Sequence, residues 1–179
     1  MLSLSLPAAE FFDEETQLFQ YTKATVLTLE HSLVSISKWE SKWRKPFFSK
    51  EAKTDAETLD YVRCMTVTQK VNPLAYRGLG PAHIRQIQAY IEEPMTATWF
   101  KEKPRASGRE IVTSEVIYYW MIALGIPFEC EKWHLNRLLT LIRVCNEKQQ
   151  PHKGQKGRQA LAQRQALNRA RRAQFNTRG

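Results

Sequence analysis

The final 29 residues of this chain, 151–179, contain no Asp and no Glu. They hold eight cations: Lys153, Lys156, Arg158, Arg164, Arg169, Arg171, Arg172 and Arg178. All 18 acids lie in residues 1–150, against 19 of the 27 Lys and Arg. The first 150 residues therefore carry +1 and the tail +8 of the net +9. This distribution excludes a uniformly basic protein. It leaves a nearly neutral body with a cationic arm, and such an arm seeks a polyanion or an acidic groove on another protein.

Cysteine is scarce as well. Cys64, Cys130 and Cys145 are odd in number and have no paired spacing, which excludes a disulfide framework. No apolar run approaches the ~20 residues needed to cross a bilayer. The longest candidate, residues 111–126, is interrupted by Thr113, Ser114 and Glu115 and reads as a buried helix. Residues 1–7 are too few, and lack the charged start, for a signal peptide. Synthesis in a reducing cytoplasm is expected, with no membrane partner.

Motifs of catalysis are also missing. There is no GxxxxGK[ST] phosphate loop and no GxSxG elbow. Glu131 and His134 stand at the i, i+3 spacing of di-iron carboxylate bundles, but those need a second such pair and two further Glu. Cys130 and His134 lack the second ligand pair of a zinc finger. His134 is better read as capping or packing at a helix start. The expectation is a protein that is not an enzyme, with no catalytic residue, no metal and no cofactor.

What is present suits one domain of about 150 residues with a real core. Leu2, Leu4 and Leu6 alternate with Ser3 and Ser5, the period of a strand, and residues 24–30 (ATVLTLE) are rich in β-formers. Asp13-Glu14-Glu15 and Tyr21-Thr22-Lys23 read as turns, giving a small hairpin or meander over residues 1–30. In residues 31–43, Ile36, Trp39 and Trp43 share one helical face. The two Trp form either a core stripe or an exposed aromatic patch for a partner.

Thr54 with Glu57 matches a capping box and predicts a helix to about Met65. Pro81 opens another helix, and Pro94 stops it. Residues 97–100 suggest a short strand. Either Ser107 or Thr113 starts the next helix, whose segment 116–122 is apolar nearly all round and so should be central. A last body helix is expected from about Glu131 to Glu147. Residues 151–157 read as a linker, and 158–179 as an arm whose thin Ala/Leu stripe cannot build a core alone. A protease-sensitive tail from about Pro151 is expected. The fold class is thus α+β, predominantly α: an N-terminal β element (1–30) packed on a helical body (31–150), then a linker and a basic helical C-terminal arm.

Three segments carry a family resemblance: residues 31–43 (HSLVSISKWESKW), 116–128 (VIYYWMIALGIPF) and 133–146 (WHLNRLLTLIRVCN). The tail pattern of Gln165-Ala166-Leu167-Asn168, following Arg residues and closing Asn176-Thr177-Arg178-Gly179 fits with them. Over most of its length the chain resembles a family from the structural-gene module of long-tailed bacteriophages, whose members are labelled tail assembly chaperones or virion structural proteins. The resemblance implies non-enzymatic binding to the tape measure protein, to tail tube subunits or to neck subunits. It places the chain in the host bacterial cytoplasm during assembly, or retained in the virion, with a homo-oligomer compatible with either role. The implied contact elements are the arm cations named above and the Trp39/Trp43 patch. The alternative is a nucleic-acid-binding protein whose arm tracks phosphates, with steep salt dependence. One aromatic residue in the tail, Phe175, is too few for the stacking expected of a single-strand binder.

Overall fold

The alternation of Leu with Ser gives the first segment one apolar face. In the computed structural model, which describes residues 1–13, 17–100, 111–149 and 165–171, this segment is β1 (Leu2–Leu6). It pairs antiparallel with β4 (Thr25–Leu29), Leu4 opposite Leu27. Leu4, Leu6, Leu27 and Leu29 are buried, whereas Ser3, Ser5 and Val26 face solvent. Nested between them are β2 (Ala9–Asp13) and β3 (Leu18–Thr22), a second antiparallel pair with Phe12 opposite Phe19. Tyr21 and Thr22, expected in a turn, lie within β3, and the Thr22 hydroxyl donates to the Ala9 carbonyl at 3.1 Å. Residues 97–100 form no strand.

The helices start where side chains can satisfy free N–H groups. Ser32 and Ser35 exchange side chain-to-backbone bonds at the start of α1 (Leu33–Trp43), a capping box built from two serines. The box expected at Thr54 is formed. Thr54 Oγ1 accepts from Glu57 N at 3.2 Å, Glu57 Oε2 accepts from Thr54 N at 2.8 Å, and α2 (Asp55–Met65) follows. Thr54→Ala is expected to lower stability by about 1 kcal/mol in urea unfolding. An unchanged midpoint would mean that the box contributes nothing. Pro81 opens α3 (Pro81–Glu92), where His83 Nδ1 accepts from Gly80 N at 3.1 Å. Thr113 precedes α4 (Ser114–Ala123), and Ser107 lies outside the described residues. The last body helix, α5 (Leu135–Gln149), begins later than expected, because residues 128–132 form a 3-10 turn.

The architecture is α+β and mostly helical, with the N-terminal sheets against helices. α1 is central: it packs against α2 and α4 and against the 3-10 turn at 128–132. Leu33 and Ile36 are fully enclosed there. The apolar α4 is not enclosed all round. Ser114, Ile117 and Met121 are buried, but Tyr119 and Ile122 are exposed. Apolar content alone does not decide burial; α4 meets α1 along one face only.

By contacts the chain divides into two compact units, Met1–Ile142 and Arg143–Gly179. In the second unit, residues 165–171 are helical and exposed at every position.

Candidate functional site

The strand period places Glu10 and Phe12 on one face of β2, with Tyr21 and Phe19 opposite them on β3. The Phe12 and Phe19 rings lie 5.1 Å apart, tilted by 57°. Such a cross-strand pair contributes about 0.2–1 kcal/mol to a two-stranded hairpin that is marginal by itself. Phe12 is 46%, Phe19 68% and Tyr21 66% exposed. Three neighbouring rings facing solvent are unlike singly scattered surface apolar residues and mark a contact surface. Residues 9–22 also hold four acids, Glu10, Asp13, Glu14 and Glu15, and no Lys or Arg. The β2–β3 hairpin is therefore an acidic, aromatic finger. No motif announces it; the signal in the sequence is the Phe11-Phe12 and Phe19/Tyr21 content inside an acid-only stretch.

Of the arm cations, Arg169 and Arg171 stand on the exposed helix at 165–171, beside Ala166, Leu167 and Ala170. Lys153, Lys156, Arg158, Arg164, Arg172 and Arg178 lie outside the described residues, as does the linker at 151–157.

The expected Trp39/Trp43 contact patch is not formed. Trp39 is 2% exposed, and its indole N–H donates to the Glu57 carbonyl at 2.9 Å. Its ring meets Phe47 edge-on at 5.3 Å. Trp43 is half-buried and donates to Asp60 Oδ2 at 3.0 Å, while Lys42 pairs with Asp60 Oδ1. The face they share is the one α1 presents to α2, so both rings serve the core and its rim. Beside them, Lys45 Nζ lies 2.6 Å from Glu57 Oε1, and these bonds hold the Glu57 carboxyl below the usual carboxylate range. The buried Glu40 carboxylate accepts from Phe47 N and Ser114 N, each at 2.7 Å, and so ties the end of α1 to the start of α4.

His31 and His134 meet inside the body, ring centroids 5.2 Å apart. His31 Nδ1 lies 2.5 Å from the Tyr61 hydroxyl, which is 3.3 Å from Ser35 Oγ. His134 Nε2 lies 3.0 Å from the Tyr90 carbonyl, which can only accept, so Nε2 carries the proton. Its Nδ1 is then free to accept from Asn136 N at 3.3 Å, which caps the start of α5. Tyr90 in turn donates its hydroxyl to Glu30 Oε1 at 2.7 Å. Burial, with His134 beside it, lowers His31 to about 4. Burial lowers His134 too, against the upward pull of the Tyr90 carbonyl and of Glu30. His31 is 2% and His134 6% exposed, so this network has no access for a substrate.

The Glu131–His134 pairing on one helix does not form. Glu131 sits in the 3-10 turn and accepts the Tyr118 hydroxyl at 2.8 Å, while His134 precedes α5, so the two do not share a helix. Among the described residues no group of three or more His, Cys, Asp or Glu could hold a metal ion. A surface cleft of about 260 Å³ beside Glu40, Arg44, Lys45 and Glu115 mixes both charge signs. It is smaller than the ~300–1,000 Å³ of typical small-molecule sites. Among the described residues, no helix is long and apolar enough to cross a membrane.

No family model, no curated protein and no solved structure matches this chain.

Proposed function

We propose that this chain is a non-enzymatic protein of phage tail morphogenesis, either a tail assembly chaperone or a built-in tail subunit. The observation that supports an assembly role most is the uncovered Phe12–Phe19–Tyr21 face on the acidic finger. An aromatic face of this kind provides contact area with few rotamers to freeze, which suits protein partners. The acid-free helix at 165–171 supplies a second, oppositely charged contact element. The family resemblance supplies the setting: binding to tape measure, tail tube or neck subunits during tail building.

The test is capture of purified tape measure and tail tube proteins by the full-length chain, after nuclease treatment. Reversing Arg164, Arg169, Arg171 and Arg172 to Glu is expected to weaken capture at least tenfold at low salt. The unfolding free energy of the body in urea should stay within about 0.5 kcal/mol of the parent, since all four substitutions lie outside the unit Met1–Ile142. Capture that survives the reversal would remove the arm from the account. Duplex DNA run beside these partners tests the nucleic-acid alternative. Binding to DNA with a steep salt slope, and to no structural protein, would favour it.

A further inference from the structure

The finger and the arm are complementary in charge, and both carry uncovered apolar surface. Residues 9–22 hold four acids and no cation; residues 151–179 hold eight cations and no acid. On the finger Glu10 lies opposite the exposed Tyr21 ring, beside the exposed Phe12 and Phe19. On the arm helix, Arg169 and Arg171 accompany Ala166, Ala170 and a 56% exposed Leu167. We infer that the β2–β3 finger of one copy receives the basic arm helix of a second copy, so that copies associate head to tail.

Three physical points favour this occupant. An acidic finger repels nucleic acid and anionic membrane surfaces, which leaves a cationic protein segment as its match. Guanidinium groups stack on aromatic faces, and the fold already uses that contact: Arg137 lies 4.0 Å from the centre of the Trp133 ring and Arg63 5.4 Å from that of Tyr76. The spacings also agree. Same-face residues two apart on a strand are roughly 7 Å apart, and helix residues four apart, such as Leu167 and Arg171, are separated by roughly 6 Å along the axis. One turn of the arm can thus set an aliphatic group and a guanidinium over the Phe12–Phe19 pair and the neighbouring Tyr21 ring. Every copy carries one finger and one arm. Such a contact is heterologous and continues into a ring or a filament.

This inference deepens the assembly reading and rests on it in one respect: the arm grips protein. It is tested by sedimentation velocity on full-length, nuclease-treated protein over a range of concentration and salt. Species larger than dimers should grow with concentration at low salt and dissolve at high salt. Phe12→Ser with Phe19→Ser and Tyr21→Ser should give a monomer, and so should the arm charge reversal. An equimolar mixture of these two variants should stop at dimers, because only one intact finger can meet one intact arm. Glu10→Lys with Asp13→Lys, which leaves the rings in place, should weaken association at least tenfold and guards against a misfolded triple variant. Several results would overturn the inference: a wild-type monomer at every concentration, oligomers that persist in both variants, or an arm shielded from protease by the finger of its own chain. A wild-type monomer that still captures tail tube or tape measure protein would remove this inference alone and leave the tail-assembly reading standing.

Discussion

Trp39→Ala is expected to destabilise the body by about 3–5 kcal/mol, the largest single-residue effect in this account. The indole is 2% exposed and sits where α1, α2 and the Phe47 ring converge. Truncation removes most of a large buried ring and leaves a cavity that the α1–α2 packing can close only in part. It also leaves the Glu57 carbonyl without the indole N–H that it accepts at 2.9 Å. Losing such a partner in a buried place costs about 1–3 kcal/mol on its own. Trp39→Phe separates the two effects, since it keeps an aromatic ring and loses the N–H. It should fall between Ala and the parent. Urea unfolding of the three proteins measures this. A loss below about 1 kcal/mol for Trp39→Ala would mean that Trp39 is not a core residue and would reopen the aromatic-patch reading.

A second large effect is acid destabilisation centred on the two histidines. The folded state lowers His31 from 6.5 to about 4, and His134 moves in the same direction. Between those values the unfolded chain binds a proton that the folded chain does not. Stability is therefore full above about pH 6.5 and is lost as the pH falls towards 4. Over that window His31 alone accounts for about 3 kcal/mol, and His134 adds to the loss. The groups facing this pair act in both directions. Glu30 and Glu93 favour protonation of His134, and the Met1 amino group opposes it, while the Tyr61 hydroxyl adjoins His31. Glu57, held below the usual carboxylate range, loses its stabilising effect only at lower pH. Unfolding free energies at pH 7.5, 6 and 4.5 should fall in sequence. His31→Gln, which removes one titrating ring, should make the decline shallower. A flat profile down to pH 4.5 would contradict the buried neutral pair.

Much of the helical frame was legible because its signals are local. Thr54 and Glu57 are three residues apart, and Pro81 and Pro94 bracket α3 on their own. The strand period of Leu2, Leu4 and Leu6 needs only neighbouring residues. Features that depend on distant contacts were not legible. Glu40 caps α4 from 74 residues away. His31 and His134 become neighbours only because the Ser32–His134 bridge joins the start of α1 to the start of α5. The finger was half visible. Of the acids that read as a turn in the sequence, Asp13 lies within β2, and Glu14 and Glu15 lie outside the described residues; Phe11-Phe12 does not alternate with polar residues as Leu2, Leu4 and Leu6 do in β1. β2 runs into the acid cluster as far as Asp13, and β3 runs through Tyr21 and Thr22, which read as a turn in the sequence. α4 misled for a related reason. Tyr119 and Ile122 look like core residues in the sequence, yet they face solvent in the fold.

The arm divides in the same way. Its composition shows that it is cationic and able to form a helix, and residues 165–171 are helical and exposed. Composition does not show which surface it grips. The finger became a candidate partner only when the strands placed Phe12, Phe19 and Tyr21 on one open face.

The central proposal is that this chain works by binding phage tail proteins during assembly. Quantitative mass spectrometry of infected-cell lysate fractionated by sedimentation, alongside purified particles, tests it most directly. The account predicts that the chain co-sediments with tape measure or tail tube protein, either in assembly intermediates alone or also in particles at a fixed copy number. The first pattern identifies a chaperone and the second a built-in subunit. A chain found free of every tail protein, in lysate and particles alike, would contradict the account.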